Sequence, residues 1–169
     1  MNHLFKVLVL ITFLGLTIFS CKKEYLNGDV VVDSQLHEKL YLNAVDTIKI
    51  DNQNLVLQTE LYRDFFPGVT KKNTRLFALI SIVNIDSAQI SKNFEIKTLY
   101  VINKEQIWIS TPVLYDDNFI PIYKVFRISK NGPEWETNNN VDIVVAIEDY
   151  NTKTINFIIA RNQLITRIE

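Results

Sequence analysis

The sequence predicts an all-β fold, an antiparallel β-sandwich, and two observations carry that prediction. Short segments rich in Ile, Val, Phe and Tyr recur between residues 44 and 168, each bounded by polar turn residues. No helical periodicity long enough to supply crossovers separates them, which excludes a βαβ arrangement. Composition points the same way: the chain holds 22 Ile and 17 Asn but only four Gly and four Pro. Isoleucine suits pleated, half-buried surfaces, and asparagine suits turns. A length of 169 residues fits one domain with a leader, and a hydrophobic fraction of 47% is ample for a core.

Taken in chain order, residues 1–20 read as a secretory signal. MNHLFK carries one lysine, Val7 to Phe19 is apolar, and Ser20 is a small residue before Cys21. The apolar run is 13 residues long, within the range of a signal core and short of the ~20 needed to span a bilayer. Residues 21–43 are expected to be a tether with one short element. Ser34 to Leu42 can form two helical turns capped by Asp33 or Ser34, and Val30-Val31-Val32 can equally pair as an edge strand.

From residue 44 to the end, strand signals dominate. Segments 44–50, 54–63, 75–85, 94–103, 106–110, 120–128, 141–149, 154–161 and 164–168 give seven to nine strands. In the second, Leu55, Leu57, Thr59 and Leu61 share a face. In the seventh, Val141, Ile143, Val145 and Ile147 do. Segment 75–85 is apolar on both faces, as a central strand would be. An immunoglobulin-like topology is the expected version of the sandwich, held by packing alone because no second cysteine exists for an inter-sheet disulfide. A small barrel is the competing architecture.

Chemistry-bearing residues are sparse. His3 lies in the signal, which leaves His37 alone in the mature chain, and one His without a Cys partner makes no ordinary zinc site. No Gly-x-Ser-x-Gly elbow and no Gly-rich phosphate loop occurs. Asp116-Asp117-Asn118 and Asn138-Asn139-Asn140 with Asp142 carry oxygen ligands, but their spacing matches no calcium loop, and they read as turns. Glu134/Glu136 and Glu148-Asp149 are carboxylate pairs without the other parts of a glycosidase. A formal net charge of −1 argues against a nucleic-acid partner. No cofactor and no metal is expected, and the chain reads as a non-enzyme.

Two resemblances add to this reading. Ile18-Phe19-Ser20-Cys21 resembles a bacterial lipobox, with Phe19 standing where a smaller residue is usual. The resemblance implies cleavage after Ser20, lipidation of the Cys21 sulfur, N-acylation, and location at the cell outer membrane, facing the periplasm or the surface. Two or more acyl chains anchor stably where one does not. The second resemblance rests on clusters at strand ends. They are Tyr62-Arg63-Asp64-Phe65-Phe66-Pro67, Gly132-Pro133-Glu134-Trp135, Val141-Asp142-Ile143-Val144 and Arg161-Asn162-Gln163. Together they resemble a family of small uncharacterised lipid-anchored or secreted β-domains, with Tyr62 where Trp is more familiar. That likeness implies a fold and no mechanism.

These clusters have two readings. Arg63, Asp64 and Arg161 can pair with one another or cap strand-end carbonyls while Trp135 closes the core. Alternatively Arg63, Asp64, Trp135, Arg161 and Gln163 line a pocket at one pole, suited to a carboxylate, sugar or peptide terminus. The expected function is a lipid-anchored, non-enzymatic binding module of the envelope. Its partner would be another envelope protein, a peptide or a glycan, met through the loops near 65–74 and 130–140. The alternative is an immunoglobulin-like envelope proteinase inhibitor or protective protein, suggested by the apolar tip Phe65-Phe66-Pro67-Gly68.

Overall fold

Asp33 starts a helix because its carboxylate accepts the backbone N–H groups of Gln35 and Leu36, both at 3.0 Å. In the computed structural model, which describes residues 27–66, 74–115 and 120–169, this helix is α1 (Ser34–Asn43), preceded by β1 (Val30–Val32). Strand and helix thus both exist in the segment expected to be mostly tether. Leu36, Leu40 and Tyr41 of α1 pack with Val31, Ile102, Ile107, Ile109, Val144 and Ile159. That burial makes residues 30–43 part of the packed body.

The remaining elements are β2 (Ala44–Val45), β3 (Thr47–Ile50), β4 (Gln53–Asp64), β5 (Phe77–Asn84), β6 (Phe94–Asn103), β7 (Gln106–Ser110), β8 (Val113–Leu114), β9 (Lys124–Ser129), β10 (Asn140–Asp149) and β11 (Thr154–Ile168). The protein is all-β apart from α1. Its strands form one curled sheet in the order β1-β7-β6-β10-β11-β4-β5-β9-β8, with β2 beside β11 and β3 beside β4. Most pairings are antiparallel, but β11 runs parallel to β4 and to β2, so the sheet is mixed. Parallel neighbours need a long connection between them. Here nearly the whole chain intervenes between β4 and β11.

β11 joins the two halves of the sheet. Its first part pairs with β10, and residues Ile165–Ile168 pair with Leu61–Asp64. The sequence suggests two strands, 154–161 and 164–168, and the structure merges them. The break between them is a register shift opposite Val141 and Ile143, with Asn162 at φ +56°. A bulge of this kind bends a strand, and the bend lets both halves cover one core. Leu55, Leu57, Leu61, Ala78, Ile80 and Ile82 from one half pack with Leu99, Val101, Ile143, Val145, Ile147 and Ile158 from the other. As the two-sided apolar pattern anticipates, Ser81 and Val83 on the opposite face of β5 are buried too. On the outer face of β6, β7 and β10, α1 closes a second, smaller cluster.

Candidate functional site

β4 carries Arg63 on the same face as Leu57 and Leu61, and its side chain is driven inward to 8% exposure. A buried guanidinium requires acceptors, and the 133–135 loop supplies them. Nη1 donates to Trp135 O at 2.8 Å and Glu134 O at 3.3 Å, Nη2 donates to Thr74 Oγ1 at 3.3 Å, and Nε donates to Thr74 O. The planar fork reaches carbonyls from two separate segments, which lysine could not match. Asp64 does not pair with Arg63; its Oδ1 accepts Phe66 N–H at 2.9 Å. Phe65 lies between two guanidiniums, with its ring centroid 5.0 Å from Arg63 Cζ and 4.1 Å from Arg167 Cζ.

Gly132 completes this loop for steric reasons. Its N–H donates to Leu76 O at 2.9 Å. A Cβ there would stand 2.9 Å from Leu76 Cβ and from Trp108 Cη2 and Cζ3. Trp108 itself is fully buried, and its indole N–H has no partner among the described residues.

A second assembly sits at the β11 bulge. Asp142 Oδ1 accepts Asn162 N–H at 2.8 Å, and its Oδ2 accepts Tyr41 Oη–H at 2.6 Å. Burial first, and then the Asp142 carboxylate, push the Tyr41 phenol well above its ordinary range. Arg161 pairs with Asp46. Gln163 accepts from Thr59 Oγ1 at 2.7 Å and donates to Arg161 O at 2.7 Å. The four clusters therefore meet two by two: the Arg63 segment with the Gly132–Trp135 loop, and the Asp142 segment with Arg161–Gln163.

Arg63 and Arg161 do not share a pocket. Arg63 lies opposite Arg167 in the β4–β11 register, and Arg161 is six residues earlier on β11, about 20 Å along a strand. Cys21, Pro67, Gly68 and Asp116-Asp117-Asn118 lie outside the described residues.

Trp135 does border an open groove of about 590 Å³, at the turn between β6 and β7. The indole packs against the core, and its Nε1–H donates to Gln106 Oε1 at 2.8 Å. Asn139 Nδ2 donates to Asn103 Oδ1 at 3.0 Å, so these amides are engaged with each other. The other lining side chains are Lys104, Glu105, Glu134 and Glu136. None of the three carboxylates makes an ion pair or side-chain hydrogen bond among the described residues. Glu105 and Gln106 are absent from the sequence-predicted site. A tight turn with Lys104 at φ +56° brings them beside Trp135, and nothing in the local sequence links them to it.

The other carboxylates serve the opposite end of the sheet. Asp149 Oδ1 accepts Asn151 N–H at 2.8 Å and so shapes the β10–β11 turn, whereas Glu148 faces Lys97 at 3.5 Å. Asp51 accepts from Ser91 Oγ and, at 2.6 Å each, from Asn93 and Asn151 Nδ2, tying three loops together. Those bonds, led by Ser91, hold its carboxyl below the ordinary range. Among the described residues no three His, Cys, Asp or Glu side chains converge as metal ligands.

No family model, curated protein or solved structure matches the chain.

Proposed function

We propose that this chain is a lipid-anchored cell-envelope protein that acts as a non-enzymatic binding module, and that its binding site is the groove beside Trp135. The lipobox-like Ile18–Cys21 stretch supports the anchor. The observation that carries the binding reading is the groove itself, where an indole adjoins three carboxylates that have no partner among the described residues. With Lys104 the only cation in the lining, the site favours a ligand bearing ammonium or guanidinium groups, which both the indole and the carboxylates attract. A basic peptide segment of an envelope partner has that chemistry. Arg63 serves the site from behind by fixing the loop that presents Trp135, Glu134 and Glu136.

Tryptophan fluorescence tests this reading directly, because Trp108 is fully buried and leaves Trp135 as the responsive reporter. A Lys/Arg-rich peptide titrated into the full chain is expected to change the emission saturably. The affinity should weaken with salt and be lost in a Glu134→Gln/Glu136→Gln double variant. An equal response to an uncharged oligosaccharide, or the same peptide affinity in the double variant, would sink the cationic-ligand reading.

A further inference from the structure

Val113, Leu114 and Tyr115 are 56%, 66% and 40% exposed. Three consecutive large apolar or aromatic side chains on open surface are unusual on a sheet edge, which ordinarily carries charge. They occupy β8, the last strand of the sheet path, and the residue after it. Thr111 and Pro112 join this strand directly to the end of β7.

The N-terminal end of the described chain docks at the same corner. Thr111 N–H donates to Asn27 Oδ1 at 2.8 Å, Gly28 N–H donates to Ile109 O at 2.7 Å, and Ile109 N–H donates to Asp29 O at 2.8 Å. Cys21 precedes Asn27 by six residues, and six residues of fully extended chain reach only about 20 Å. A lipid on Cys21 holds this corner within that distance of the bilayer. The Trp135 groove lies at the other end of β7, where Gln106 lines it.

We propose that Val113, Leu114 and Tyr115 form the membrane-facing surface of the domain, seated in the bilayer interface beside the anchor while the Trp135 groove points away. The inference rests on the lipid-anchor reading above. Three side chains are too few to hold a membrane alone, but the anchor makes their contact intramolecular and so raises its effective concentration. Tyrosine suits the headgroup level, where its ring meets apolar material and its hydroxyl meets water. A second copy of the chain is a poorer occupant, because a two-residue edge strand offers little to pair with. The anchor, by contrast, brings this corner to lipid in every molecule.

The Cys21 sulfur is acylated on this reading, so Leu114→Cys in the full chain creates a unique reactive thiol. The protein, labelled there with a polarity-sensitive dye, is placed in phosphatidylcholine vesicles containing a headgroup-level spin-labelled lipid. Zwitterionic lipid is chosen because Asp116 and Asp117 follow closely in sequence. Blue-shifted, strongly quenched emission is expected at position 114, and water-like, unquenched emission at a Glu105→Cys control in the groove. Water-like emission at both positions, from protein that still incorporates a fatty-acid label, overturns the membrane-facing surface and leaves the anchor standing. Equal quenching at both overturns the orientation. A blue shift that disappears as the protein is diluted among vesicles assigns the patch to contacts between copies and overturns the proposal. Absence of the fatty-acid label, with none restored by wild-type Cys21, overturns the anchor reading and this inference with it.

Discussion

Arg63 illustrates how a side chain of functional appearance becomes structural. Its guanidinium is buried and directed at three carbonyls and a threonine hydroxyl, so no donor set is left pointing at solvent to meet an anion. Hydrogen bonds from a charged donor contribute ~1.5–3 kcal/mol each, and carbonyls left unpaired in a buried position add a penalty. Lysine keeps the charge but cannot span two segments. Arg63→Lys is therefore expected to destabilise the fold by about 2–3 kcal/mol, read as a lower urea midpoint at unchanged slope. It should also increase solvent quenching of Trp135, because the loop loses its clamp. Unchanged stability would mean that the carbonyls find other donors and that Arg63 is free for a ligand. Gly132 is constrained as tightly by space: Gly132→Ala sets a methyl against Trp108 and Leu76, an overpacking expected to cost ~1–3 kcal/mol.

At the scale of elements, α1 is fastened to the sheet at two kinds of contact. Leu40 is buried beneath it, and Tyr41 reaches across to Asp142, which also holds the β11 bulge through Asn162. One carboxylate thus ties a helix, a central strand and a strand bend. Removing the hydroxyl in Tyr41→Phe should cost roughly 1 kcal/mol. The pH dependence has a definite sign. Folding raises the Tyr41 pKa above its unfolded value, so its contribution is complete below about pH 10 and declines as pH rises beyond that. Wild-type stability should fall more steeply than that of Tyr41→Phe across that alkaline range. Parallel curves would show that the phenol titrates alike in both states.

For the whole molecule, β11 decides whether there is one domain or two loose sheets. Ile165 is fully buried and sits where β11 leaves β10 and begins its parallel run beside β4. Ile165→Ala is expected to cost about 2–5 kcal/mol, and because both halves share the core, they should still unfold in a single transition. Two separated transitions would show that the halves are independent. Asp51 does comparable work at the loop end. Its carboxyl is held below the ordinary range in the folded state, so its contribution is present above the unfolded value of about 4 and is lost as pH falls through the depressed one. Asp51→Asn should therefore flatten the acid limb of the stability curve, and hydrogen exchange should quicken in the turns carrying Ser91 and Asn151.

Much of this could be read from the chain by itself. Alternation fixed which side of β4 and β10 faces the core, the two-sided apolar run marked β5 as covered on both faces, and Asp33 announced the start of α1, because these signals are local and periodic. The four strand-end clusters could be picked out for the same reason. Their partners could not: Arg63 meets Trp135, and Asp142 meets Asn162, across sequence gaps that no local rule bridges. Tertiary structure also set the parallel pairing of β4 with β11, since residues 154–168 are equally good strand formers in either direction. It placed the groove too, because a tight turn at Lys104 brings Glu105 and Gln106 to an indole some thirty residues away. Charge and exposure at such a site are properties of neighbours in space, and sequence order does not state them.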